Sequence, residues 1–232
     1  MNDQPPEIGG FGPVTQRATI ADNVYNELRT ALVVGRFDPG QTLTISSLAE
    51  AFQTSHMPVR EAMRRLGAEG AVEVRSNGSA YVPEVTRVSL DDICRARIAL
   101  ERLATGLAVT KMTAAEIATL ELLEHEHTAT SHLNNVYEML KKNHLFHFSI
   151  YRAARSPTLL QLIDILWVRY GPFMRMLSDH MGPQLGMGVH EPFMLGHRAI
   201  VDAIRSRDAV RAEDLLQDDI ERTQRLLQRH CE

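Results

Sequence analysis

The chain is poor in cysteine: Cys94 and Cys231 are its only two. Two thiols build no disulfide framework, which fits a reducing cytoplasm. Long apolar runs are also missing. No stretch approaches the ~20 apolar residues of a membrane-spanning helix, and no basic-then-apolar signal sequence opens the chain. Positive charge is not in excess either. The 25 Lys and Arg stand against 29 Asp and Glu, a net charge of −4. Global attraction to nucleic acid is therefore excluded, and any such contact has to come from local clustering. The signatures H-E-x-x-H, G-x-S-x-G and the P-loop are absent, and no internal repeat is visible. What remains is 232 residues with 44% hydrophobic content, enough for one or two ordinary cores.

The most informative stretch is Thr44–Leu66, TISSLAEAFQTSHMPVREAMRRL. It reads as two short helices around a break at Gln53-Thr54. Leu48, Ala49 and Phe52 form the apolar face of the first. Ser55 has the position and the oxygen to cap the second, and Pro58 falls in its first turn, where a missing N–H costs little. Val59, Ala62, Met63 and Leu66 make a buried stripe, while Arg60 and Arg64, four apart, share the opposite face. A helix pair whose second member shows arginines to solvent is what a helix-turn-helix places in the major groove. Ile20, Val24, Leu28, Ala31 and Leu32 predict a preceding helix over Ile20–Val34. After the pair, Ala71–Arg75 alternates like a strand. Ser76-Asn77-Gly78-Ser79 is a turn signal and Ala80-Tyr81-Val82 a return strand. Helix, helix, helix, hairpin is a winged helix-turn-helix. Clustering of Arg60, Arg64, Arg65 and Arg75 would supply its positive face.

PVREAMRRLGAEGAVEV followed by a glycine-containing wing resembles the DNA-binding domain of the GntR family of bacterial transcription regulators, over about Ile20–Pro83. The resemblance implies DNA contacts from Ser55, His56, Met57, Arg60 and Arg64 on the reading helix and from Asn77 and Gly78 at the wing tip.

The rest of the chain is helical in pattern. Residues 1–17, with Pro5, Pro6, Gly9, Gly10, Gly12 and Pro13, predict a flexible arm; 18–83 is the winged domain; 84–89 is a linker; and 90–230 is an antiparallel helical bundle. Ser89 and Asp92 have capping-box spacing for a helix from Leu90 to about Thr110, and Thr113 and Glu116 for a second to about Thr130. A third runs from about Asn134 to Ala154. A fourth starts at Ser156-Pro157 and is kinked at Gly171-Pro172; a loop follows over Met181–Glu191; a fifth covers Pro192–Arg205 and a sixth Asp208–Gln228.

Several of these helices turn a polar residue toward the apolar side. Asn143 and His147 lie on the stripe of the third, His197 on the fifth, Asp219 on the sixth and Arg97 on the first. Burying such groups singly costs several kcal/mol, so the economical arrangement brings them together. Histidine, carboxylate and amide converging inside a bundle suit a divalent transition metal, and Arg97 would face an anion. Each also has a plainer reading: a hydrogen-bonded core histidine, an exposed Asp219 on a slightly rotated helix, an Arg97 paired with Glu101 four residues on. His144, one turn from His147, is an alternative ligand. His125 and His127, flanked by Glu124 and Glu126, read as solvated, and Trp167, Tyr170 and Phe173 as core or dimer interface.

NHLFHFSIYRAARSP (Asn143–Pro157), HRAIVDAI (His197–Ile204) and the R-x-x-L-E of Arg97–Glu101 resemble the FCD ligand-binding domain of the FadR subfamily. That resemblance implies a mainly α chain, with metal ligands at Asn143, His147, His197 and Asp219, zinc or nickel as the ion, and a small organic acid beside it. Asparagine stands where the family usually has aspartate, and Asp219 where the last histidine is usual. The function expected is a ligand-responsive regulator, a homodimeric repressor released from operator DNA by a small carboxylate that pairs with Arg97. A metal-dependent enzyme built on the His/Asp cluster, and a scaffold using the bundle alone, are the alternatives.

Overall fold

The computed structural model describes residues 19–76, 79–130, 135–181 and 191–231. The expected arm, the wing-tip residues Asn77 and Gly78 and the loop expected over Met181–Glu191 fall outside them, apart from that loop's two end residues.

The first unit is built from α1 (Ile20–Val33), β1 (Thr42–Leu43), α2 (Ile45–Ala51), α3 (His56–Ala68), β2 (Glu73–Val74) and β3 (Ala80–Tyr81). A capping box between Thr19 and Asp22 starts α1. Val24, Leu28 and Leu32 of α1 meet Val59, Ala62, Met63 and Leu66 of α3 in the core; Ile20, expected on that stripe, is instead exposed at the helix end. Ser55 stands at the N-cap of α3 but makes no side-chain capping bond. Gly70, in the left-handed region at φ +70°, turns the chain from α3 into the wing. The two-residue β1, too short to show alternation in sequence, adds a third strand, and the antiparallel sheet runs β1-β3-β2 with Leu43 opposite Ala80 and Val74 opposite Ala80.

The second unit is α4 (Arg87–Lys111), α5 (Ala114–Thr130), α6 (Val136–Ala153), α7 (Pro157–Arg169), α8 (Gly171–Met181), α9 (Glu191–Arg205) and α10 (Ala209–Leu227). The N-cap of α4 is Thr86, not Ser89. Ser89 is the reciprocal N3 partner, so the helix starts at Arg87, three residues before the expected Leu90. Thr113 and Glu116 bond reciprocally at the start of α5, as their spacing predicts. Instead of a kink at Gly171-Pro172, the chain closes α7 at Tyr170 and opens a separate α8. Proline at the second position of a helix needs no donor, so a break there is cheaper than a bend inside a continuous helix. Among the described residues no helix is long and apolar enough to cross a membrane.

The two units touch through α1, which lies against α7 and α8. Arg29 Nη2 is 2.6 Å from Asp164 Oδ2, and Arg175 Nε is 2.7 Å from Asp38 Oδ1 while its Nη1 donates to Tyr137 Oη at 2.6 Å. The backbones themselves are close. A Cβ at Gly35 (φ +70°) would collide with Met174 and Arg175, and one at Gly171 with the Leu32 carbonyl.

Candidate metal centre and nucleic-acid interface

Four helices deliver the central cluster. His147 comes from α6, His197 from α9 and Asp219 from α10, all buried, with one donor atom of each within 4.8 Å of the others. Asp219 Oδ2 is 3.4 Å from His147 Nε2 and 3.8 Å from His197 Nε2. The fourth contribution, from α5, is His127. Expected as solvated, it is buried, and its Nδ1 lies 3.1 Å from His197 Nδ1. Its burial arises because α9 covers it, a long-range event; the local signal was only the line Leu120, Glu124, His127 at i, i+4, i+7. The cluster opens into a cavity of about 50 Å³, also lined by Arg97, Asn143, Trp167, Tyr170 and Thr223. Asn143 is half-buried on this wall, one turn before His147. His144 is not part of the cluster: it stacks on Phe148 and meets Trp167 edge-on.

The hydrogen bonds around His147 decide where its proton sits. Glu101, fully buried, is bound by Arg97 through Nε at 2.7 Å and Nη2 at 3.3 Å, and by Trp167 Nε1 at 3.1 Å. Tyr151 Oη also donates to Glu101. With its own proton so committed, Tyr151 Oη can only accept from His147 Nδ1, 3.3 Å away. That puts the imidazole proton on Nδ1 and the lone pair on Nε2, where it faces the carboxylate of Asp219. Burial pushes His147 below the usual histidine range, so charging the ring is disfavoured. Two acceptor atoms therefore face each other across 3.4 Å, and a cation between them satisfies both. The N, N, O donor set suits a borderline divalent ion such as zinc or nickel.

Arg97 differs from the expectation of an unmatched cation. Glu101 neutralises it, and its guanidinium is sandwiched between the rings of Trp167 and Tyr170 at 4.6 and 4.4 Å. Only Nη1 lies outside the pair with Glu101, and the residue still lines the cavity.

At the other end of the molecule, Ser55, His56, Met57, Arg60 and Arg64 are all exposed on the outer face and N-terminal turn of α3. Arg64 is held by Glu61 at 2.7 Å. Arg65 is not part of the open face: it pairs with Asp22 at 2.8 Å and lies 3.8 Å over the Tyr25 ring, tying α3 to α1. Arg75 rests over Tyr81 at the wing.

A winged helix-turn-helix joined to a helical bundle with a buried polar cavity defines a two-domain DNA-binding regulator, with a reader and a sensor. The comparisons agree. The FCD domain family matches residues 92–222, and the family described as bacterial regulatory proteins, gntR family, matches residues 20–82. The HTH-type transcriptional regulator McbR of Escherichia coli (strain K12) is 35% identical over 160 residues, which span 69% of this chain and 72% of McbR. The solved structure of E. coli McbR/YncC superposes with a TM-score of 0.87 at 28% identity, covering 92% of this chain and 99% of that one. The HTH-type transcriptional repressor GlaR of E. coli is 25% identical over 203 residues, 84% of this chain and 90% of GlaR. The chain belongs to the GntR family of bacterial regulatory proteins and carries an FCD domain. It is a transcription regulator and not an enzyme.

Proposed function

We propose that the protein is a cytoplasmic repressor that binds its operator as a homodimer and leaves it when a small carboxylate enters the bundle. The division of labour falls at 18–83 for reading, 84–89 for the linker and 90–230 for sensing and dimerisation. A single reading helix spans too few base pairs for a specific site, and two-fold pairing supplies two half-sites. Ser55, His56 and Met57 meet base edges at the start of α3, Arg60 a guanine or phosphate, Arg64 a phosphate, and Asn77 and Gly78 the wing-side backbone.

The observation that carries the sensor half is the lone-pair confrontation of His147 Nε2 and Asp219 Oδ2 inside the bundle. His147, His197 and Asp219 would hold zinc or nickel, with Asn143 offering its carbonyl oxygen from the cavity wall. The metal supplies a positive centre for a carboxylate oxygen. The cavity of about 50 Å³ beside these residues suits a short acid or the carboxylate head of a longer one. Arg97 would present Nη1 to the same anion. Elemental analysis of protein prepared without chelators is the test. One divalent ion per chain is expected, falling away when His147 and His197 are both changed to alanine. Protein that holds no metal, and takes up none from added zinc or nickel, overturns the sensor half. Titration of labelled operator with and without a panel of short carboxylates then tests release.

A further inference from the structure

His127 lies outside the three-ligand set, yet its Nδ1 stands 3.1 Å from Nδ1 of His197. An Nδ1–Nδ1 hydrogen bond holds one proton, so one ring donates and the other accepts. The rings are also held in place sideways. Phe146 stacks on His197 at a centroid distance of 4.3 Å and 21°, and His127 sits 4.7 Å from it, tilted by 42°. With Nδ1 engaged by His127, the remaining nitrogen of His197, Nε2, is the one turned toward Asp219. His147 shows the same plan, with Nδ1 engaged by Tyr151 and Nε2 turned toward Asp219. Both imidazoles are thus anchored from behind through Nδ1. The anchor of His147 is a hydroxyl fixed by a buried ion pair, whereas that of His197 is a second imidazole.

We propose that His127 is a positioning residue of the metal site, the hydrogen-bond partner that occupies Nδ1 of His197 and fixes its ring angle so that Nε2 is its coordinating atom. The inference rests on the metal reading above. A neutral imidazole carries one N–H and one lone pair, so His127 can donate to His197 while the site is empty and accept from it when Nε2 is taken up by metal. A phenylalanine of similar shape can do neither. Glutamine can do both, by presenting its NH₂ or its carbonyl oxygen.

The test compares His127→Phe and His127→Gln with the parent as full-length chains. Zinc affinity is read by competition with a chromophoric chelator, coordination by X-ray absorption, and ring nitrogens by ¹⁵N NMR of the metal-free proteins. In His127→Phe, zinc affinity should fall about 10–100-fold with the number of coordinated imidazoles unchanged, and His127→Gln should recover most of it. The His197 Nδ1 resonance should move in His127→Phe and move less in His127→Gln. Equal zinc affinity in His127→Phe and the parent overturns the proposal. Loss of one coordinated imidazole also overturns it, because His127 is then a ligand. If the parent binds no metal, the metal reading fails, and the nitrogen shifts still decide the role of His127. An unmoved His197 Nδ1 in His127→Phe removes it.

Discussion

Two residues with opposite surroundings show how much a side chain's role depends on its partners. Arg60 is exposed and sits one turn into α3, in no ion pair among the described residues, whereas Arg64 beside it is clasped by Glu61. Arg60→Ala should weaken specific operator binding by about 1–3 kcal/mol and relax the sequence preference, read by titrating operator and mutated operator in parallel. Glu61→Gln should act the other way, freeing Arg64 for phosphate and tightening binding to any sequence. Unchanged affinity in both would place α3 outside the groove. Inside the bundle the logic reverses, because Glu101 is fully buried and collects Arg97, Tyr151 and Trp167. Glu101→Gln leaves the Arg97 charge without a counter-ion and should cost about 3–5 kcal/mol of unfolding free energy by urea titration. The thiols offer a simpler check. Burial pushes Cys94 up to about 11 and raises the partly exposed Cys231 as well, so at pH 8 iodoacetamide should label Cys231 slowly and leave Cys94 intact until the chain is unfolded. His147, His197 and Asp219 could be read from sequence because each interrupts an otherwise apolar line at helical spacing. His127 could not, since acidic neighbours surround it and its cover comes from a helix seventy residues away.

At the scale of helices, the sequence marked starts better than joins. Capping pairs and prolines are local chemistry, and they place α5 and α7 within a residue or two. Thr86 and Ser89 show the limit: two hydroxyls three apart offer overlapping boxes, and the structure uses Thr86 as the cap with Ser89 as its N3 partner. The join between α7 and α8 was equally hidden, because Gly171 is there for a neighbour and not for its own helix. A methyl group at Gly171 would meet the Leu32 carbonyl of α1. Gly171→Ala should therefore push the two units apart at a cost of about 1–3 kcal/mol, seen as a lower melting temperature. Metal binding, which uses α6, α9 and α10, should survive. If the variant melts with the parent, the close approach of α1 and α8 is not maintained in solution.

For the whole molecule, the acidic balance and the small reading surface set how binding should respond to salt. With a net charge of −4, attraction is confined to α3 and the wing, so the slope of log affinity against log salt should be shallow for a DNA-binding protein. Arg64→Ala should lower it by about one per reading domain, while Arg65→Ala, whose side chain is committed to Asp22, should leave it near the parent and reduce stability instead. Coupling between sensor and reader, typically about 1–3 kcal/mol, would change operator affinity roughly 5–150-fold on effector binding. The two-domain plan was legible because each domain has its own motif. Their seam was not, since Arg29–Asp164 and Arg175–Asp38 join residues more than a hundred positions apart.

That seam has a consequence for how such a sensor can change its ligand. Helix α8 is a party wall: Met174 and Leu177 face the cavity, while Arg175, between them, grips Asp38 and Tyr137. A substitution made on α8 to fit a new effector would shift the grip as well, so the protein would lose its response in the act of changing its taste. Helix α6, with Met139 and Leu140 on the cavity, is also tied to the reader, since Arg36 lies 5.0 Å over its Tyr137 ring; α10, with Ile220 and Thr223, packs against α4 and α9 instead. Retuning the protein for a different effector, by selection or by design, should therefore draw its substitutions from α10 and spare α8.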